Sequence, residues 1–244
     1  MSKRKLFIRI TAFFIIIAVL VLSTALFFRV NDVSVEGNER HTSDQIEAIA
    51  NISQGRQLFT VPSGRIRQQL LDEFPYIKNV TITLRLPSTV RIIIEERHPV
   101  GFLEYDGYYW IIDPYGRLLE QTTTRPAGFD IRGLTLYNPT INTYFQVVDG
   151  QYIYRQTYEF LIRELVAFYD DLNYVDMSNI ANIAFRIHDR YRVELGVISD
   201  LTYKLHFLNE ALEYLEAGPP RRGTILLANS PETRRANFLE DGFE

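Results

Sequence analysis

Hydrophobic and polar positions divide the chain into three kinds of pattern. The first is Ile10 to Phe28, a run without a charge in which only Thr11, Ser23 and Thr24 are polar. At 1.5 Å rise per residue it would extend about 28 Å, close to the hydrocarbon thickness of a bilayer. It predicts a transmembrane helix over 10–28, with residues 1–9 as a basic cytoplasmic tail and the chain from about 30 onward outside. A cleavable signal peptide cut after Ala25 is the rival reading, because Ser23 and Ala25 are small. The apolar run continuing through Leu26, Phe27 and Phe28 favours the uncleaved anchor.

The second pattern switches between the two periods within a short stretch. Val33 and Val35 alternate in a short strand that Gly37-Asn38 ends. Thr42-Ser-Asp-Gln45 fits a capping box ahead of Ile46, Ile49 and Ala50. Ile66, Leu70 and Phe74 recur every four residues in a second helix that Pro75 stops. Val80, Ile82, Leu84 and Leu86 then alternate with polar residues. Pro87-Ser88 turns the chain, and Val90, Ile92 and Ile94 form the antiparallel partner. Strand, helix, helix, strand, strand predicts two helices laid on one face of a small sheet.

The third pattern begins after Pro99. Asp106-Gly107 and Asp113-Pro-Tyr-Gly116 are turn signals between short strands. Residues 121–148 read as mostly irregular. Tyr154, Tyr158, Leu161, Leu165, Phe168 and Leu172 make the apolar side of an amphipathic helix. Ile180–Ile187 and Tyr191–Val197 form a hairpin around His188-Asp-Arg190. Leu201, Leu205, Leu208, Leu212 and Leu215 stripe a last helix, and Gly218-Pro-Pro-Arg-Arg-Gly223 ends it. Thr224 to Asn229 is a final strand, and the polar residues after Ser230 should fray. The fold class expected is therefore α+β, with a mainly antiparallel β region flanked by helices.

Charge sharpens the division. Lys3, Arg4, Lys5 and Arg9 stand without an acid, so the net −4 of the 244-residue chain leaves −8 for residues 10–244. There is no basic field for nucleic acid. With 46% hydrophobic and 23% charged residues the composition is that of a folded protein. The absence of cysteine excludes disulfides, thiol catalysis and cysteine-rich zinc sites.

Motifs for chemistry are sparse. The chain has no phosphate-binding GxxxxGK[ST] or GxGxxG and no GxSxG elbow. His41, His98, His188 and His206 lie in separate elements without metal-ligand spacing. Glu95-Glu96 and Asp170-Asp171 read as solvated faces, and Asp113 as a turn-former. No catalytic, cofactor or metal site is expected. The candidate binding feature is the strand Thr224, Ile225, Leu226, Leu227, Ala228, Asn229 and Ser230. Without a following strand its second edge would be open to strand addition from another chain; the alternative is a covered strand.

Several local motifs, in order, resemble the FtsQ/DivIB family of bacterial cell-division proteins: Val35-Glu-Gly-Asn38, Pro75-Tyr-Ile77, Leu86-Pro87, Glu96-Arg-His-Pro99, Asp113-Pro-Tyr-Gly116, Leu195-Gly196 and Lys204-Leu205. The resemblance implies a POTRA domain at 31–98, a family-type β domain at 99–230 and a flexible tail at 231–244. It implies a non-enzymatic bitopic membrane scaffold of the divisome at the division septum. Expected partners are FtsB/DivIC-like and FtsL-like proteins, with influence on septal peptidoglycan synthesis by FtsW and its transpeptidase. The family's partner pairs with the last strand of the β domain, which corresponds to 224–230 here. Two positions depart from the family. Leu226 stands where an acidic residue is common, and Val197 where some members carry a basic one. A POTRA-containing binding module of another envelope complex is the alternative, and an anchored extracellular hydrolase a more distant one.

Overall fold

The computed structural model describes residues 3–148, 151–227 and 237–241. Two units divide the chain, Met1–Arg97 and His98–Glu244.

The first unit opens with helix α1 (Lys3–Phe27). The expectation of a transmembrane helix over 10–28 is corrected here: among the described residues no helix is long and apolar enough to cross a membrane. Crossing requires about 20 consecutive apolar residues, and the described residues of α1 do not supply such a stretch. The helix also starts well before Ile10, at Lys3.

Strand β1 (Asp32–Glu36), helix α2 (Ser43–Ala50), helix α3 (Ser63–Glu73), β2 (Ile77–Arg85) and β3 (Thr89–Glu96) follow. They pair in the order β1-β3-β2, with β1 parallel and β2 antiparallel to β3. The capping box forms as read: the Gln45 amide donates to Thr42 Oγ1, and the Thr42 amide to Gln45 Oε1 at 3.0 Å. Ile46 and Ala50 from α2 and Ile66 and Leu70 from α3 pack with Val80, Val90, Ile92 and Ile94. Leu86, read as the last buried position of β2, is exposed, because the strand ends at Arg85 and Leu86 enters the turn.

Two motifs far apart in sequence meet in this unit. Gly37, at φ +80°, lies so close to the carbonyl of Ile94 that a side chain would strike it. Glu96 then accepts the amides of Glu39 and Arg40 at 3.0 and 3.1 Å, tying the loop after β1 to the end of β3.

The second unit is built on a nine-stranded sheet ordered β12-β11-β10-β9-β8-β7-β4-β5-β6. Its strands are β4 (Gly101–Tyr105), β5 (Tyr108–Ile112), β6 (Leu118–Thr122), β7 (Phe129–Arg132), β8 (Leu172–Asp176), β9 (Ile183–Ile187), β10 (Tyr191–Gly196), β11 (Gly223–Leu226) and β12 (Asn237–Glu240). Helix α4 (Gln151–Phe168) links β7 to its parallel neighbour β8, and α5 (Leu201–Glu216) links β10 to its parallel neighbour β11. The apolar stripes of both helices close one core with Phe129, Val175, Phe185, Val193 and Ile225.

Three elements differ from the sequence reading. Residues 129–132, read as irregular, form a buried strand because Phe129 and Ile131 face the core. The helix read through Leu172 stops at Phe168, and Leu172 begins β8. Residues 237–240, read as part of a fraying tail, form β12.

Asp113 is a turn-former, as its motif predicts. Its buried carboxylate accepts the amides of Tyr115 at 2.9 Å and Arg117 at 2.8 Å, and its carbonyl accepts the hydroxyl of buried Tyr158 at 2.8 Å.

Candidate functional site

The strand read as the binding feature is β11, and its neighbours are set by α5. Lys204 explains the placement of that helix. Its buried ammonium donates to the carbonyls of Leu195 at 3.0 Å and Val197 at 2.7 Å, where β10 ends at Gly196 with φ +70°. Burial pushes the Lys204 amine below its ordinary value, while Asp200 opposes the shift. The Leu195-Gly196 and Lys204-Leu205 motifs are thus two halves of one contact. They fix α5 over β10 and return the chain to the sheet at Gly223.

β11 lies parallel to β10, with Gly223 opposite Tyr191, Ile225 opposite Val193 and Leu226 opposite Glu194. The amides of Gly223 and Leu227 donate to Arg190 and Glu194 of that side at 3.2 and 2.9 Å. Successive amides of a strand alternate between its two edges, so Thr224 and Leu226 point their N–H groups outward. Ile225 and Leu227 are buried, whereas Thr224 and Leu226 are half-buried on the opposite face. Of the seven candidate residues the structure brings Thr224, Ile225, Leu226 and Leu227 to this position. Ala228, Asn229 and Ser230 lie outside the described residues.

The outer edge of β11 is not open. β12 pairs with it antiparallel, Gly223 opposite Glu240, Thr224 opposite Leu239, Ile225 opposite Phe238 and Leu226 opposite Asn237. The reading of a last strand without a following partner is corrected by this pairing. The sequence reading missed it because Asn237–Glu240 carries no alternation long enough to mark a strand. Phe238 is half-buried against the core, with its ring 6.3 Å from that of Tyr191. Gly223 makes room for it: a Cβ there would come within 2.7 Å of the Phe238 ring and would strike the Leu239 carbonyl. Beside Phe238 a cavity of about 490 Å³ remains, walled by Phe207, Ala211, Tyr214, Leu215 and Ile225 together with the charged Glu210 and Arg221.

The histidines do not converge. His41 stacks on Phe74, His188 Nδ1 contacts Glu216 at 2.7 Å, and His206 faces Glu210 at 3.4 Å. Among the described residues no group of three His, Cys, Asp or Glu side chains is placed to hold a metal ion.

The arrangement holds a main-chain edge covered by one short strand, beside a largely apolar cavity. A family model described as "POTRA domain, FtsQ-type" matches residues 28–97, the part of the first unit that follows α1. The cell division protein DivIB of Clostridium acetobutylicum is 33% identical over 119 residues, 48% of this chain and 47% of that protein. The cell division protein FtsQ of Rickettsia conorii is 26% identical over 197 residues, 80% of this chain and 64% of that protein.

In these matches the chain is similar to the FtsQ and DivIB cell division proteins, and residues 28–97 match the FtsQ-type POTRA domain. DivIB of Bacillus subtilis is a further relative, 26% identical over 123 residues, half of this chain and 47% of that protein. The chain spans about half the length of the DivIB relatives it matches. The FtsQ-type model covers residues 28–97 only, so the β11 edge lies in a part of the chain that it does not describe.

Proposed function

We propose that this chain is a non-enzymatic scaffold of the division machinery, which captures an extended segment of an FtsB/DivIC-type protein along the outer edge of β11. FtsL-type proteins join through that partner, and the complex coordinates FtsW and its transpeptidase in septal peptidoglycan synthesis. The scaffold works at the cell membrane of the division septum. The first unit is its POTRA domain and the second its β domain.

The observation that carries this reading is the geometry of β11. One edge is fixed to β10 by main-chain bonds, and the other, to which Thr224 and Leu226 turn their amides, is covered only by the four-residue β12 beside a largely apolar cavity. Strand addition draws affinity from main-chain groups, and so it tolerates Leu226 in place of an acid. An acid at that position would also stand opposite Glu194, and leucine avoids the like-charge pair.

Co-purification tests it. Leu226→Pro removes an outward donor and should abolish capture of the FtsB/DivIC-type partner from crosslinked dividing cells, whereas Leu226→Ala should retain it. Normal capture by the proline variant would overturn the edge mechanism. A fluorescent fusion spread evenly over the envelope would favour a module of another complex.

A further inference from the structure

We propose that β12 is an autoinhibitory strand: it occupies the partner-binding edge of β11 in the free chain and must leave before another segment can pair there. This rests on the edge-capture reading above and adds its regulation.

Three observations carry it. First, β12 sits on the edge in question, antiparallel and in register, and it pairs with the outward side of Thr224 and Leu226. No second strand can add to the same main-chain groups while it is there. Second, β12 is weakly held. It has four residues, of which Asn237, Leu239 and Glu240 are exposed, Leu239 to 56%. Phe238 is its one anchor in the core. By contrast β10, on the other side of β11, buries Tyr191, Val193 and Leu195 completely. A strand with so little buried apolar surface opens far more readily than the sheet behind it. Third, a cavity of about 490 Å³ remains beside Phe238, walled in part by Phe207, Tyr214 and Ile225. A segment that fills more of it would displace β12 without any change in β11.

Opening β12 would cost the chain few contacts, and binding would be weakened by the fraction of molecules in which β12 is closed. The contact therefore sets a threshold for capture. Gly223 belongs to the device, because any side chain there would exclude β12 by striking Phe238 and the Leu239 carbonyl.

Residue-resolved amide exchange on the whole chain is the first test. The outward amides of Thr224 and Leu226 should exchange about 100-fold faster than those of Ile225 and Leu227, which face β10. Equal rates within this strand would make β12 a permanent member of the sheet and overturn the proposal.

Leu239→Pro provides the second test. The Asp241 amide donates to Arg222 at 3.0 Å, so the alternation aims the Leu239 amide at Thr224. Leu239 is exposed, and the substitution removes that bond while leaving β11 intact. A synthetic peptide of residues 236–241, Ala-Asn-Phe-Leu-Glu-Asp, should bind the variant about tenfold or more tightly than it binds the unaltered chain. Equal binding, or none to a variant whose Ile225 and Leu227 amides remain protected, would overturn the proposal. If the peptide discriminates but neither chain captures an FtsB/DivIC-type protein, the edge-capture reading fails and the self-occupied edge stands.

Discussion

The two units solve the same problem, burying helices against a sheet, with different amounts of help from neighbours in sequence. In the first, β2 and β3 are joined by a tight turn and carry long period-two patterns, and a capping box starts α2. In the second, β7 meets β8 and β10 meets β11 only after an intervening helix, and each of those pairs is parallel. Short-range pairing makes β2 and β3 readable; long-range pairing, of β1 with β3 in the first unit and of β7 with β8 and β10 with β11 in the second, leaves the neighbours unspecified. The edge proposed for partner capture is reached by long-range pairing of this kind. There a buried lysine under α5 does the positioning that a hairpin turn does in the first unit.

The largest effect that would sharpen this contrast is in the small core. Ile92 is completely buried in the central strand β3, and Ile92→Ala should lower the stability of the first unit by about 3 kcal/mol. Urea unfolding followed by amide exchange in each unit should show the loss in residues 32–96, with the protection of Val193 and Ile225 unchanged. Equal loss in both would break the division into two units.

Alkaline pH should act on the second unit. Burial foremost, and the Asp113 carboxylate after it, hold the Tyr158 phenol well above its ordinary value of 10.0. Burial likewise raises the Tyr169 phenol. A folded value above the unfolded one gives stability that is full below pH 10 and declines as pH rises beyond it. Lys204 acts in the opposite sense: burial lowers its value from 10.5, so the cost of its charge is relieved as pH climbs from that lowered value towards 10.5. The second unit should therefore lose stability above about pH 10 as the phenol effect takes over. Tyr158→Phe should flatten the decline, although it also forfeits the hydrogen bond to Asp113. A decline of the same steepness in Tyr158→Phe would remove Tyr158 as its source.

The smallest expected effect concerns local signals. Thr42→Ala deletes one half of the capping box and should cost the first unit about 1 kcal/mol. Thermal unfolding of that unit would detect it, and Thr42→Ser should restore most of it. No loss would mean that the packing of Ile46 and Ala50, and not the cap, holds α2.

Much of the architecture was legible because it depends on local chemistry. The periods of β2, β3 and α5, the cap at Thr42 and the turn at Asp113 could each be read in a window of a few residues. The stripe Leu201, Leu205, Leu208, Leu212 and Leu215 is buried as its spacing predicts. The candidate strand was legible for a similar reason, since Thr224 to Leu227 is an apolar run after a Gly-Pro turn. Its surroundings were not. Phe129 and Ile131 look like scattered apolar residues until β4 and β8 flank them, and Phe238 is one aromatic in a polar stretch until Gly223 opens a place for its ring. The transmembrane reading of 10–28 came from composition and length, and no helix among the described residues meets the requirement for crossing a membrane.

By itself the sequence determined the kinds of element, the order of the motifs, the family they resemble and the strand whose edge carries the proposed function. Only the tertiary structure decided which strands are neighbours, that Lys204 is satisfied by the carbonyls of Leu195 and Val197, and that β12 covers the outer side of β11. The physical reason is that propensity, capping and periodicity act over a few residues. The pairing of an edge instead depends on which distant segment presents a complementary face and finds room to approach.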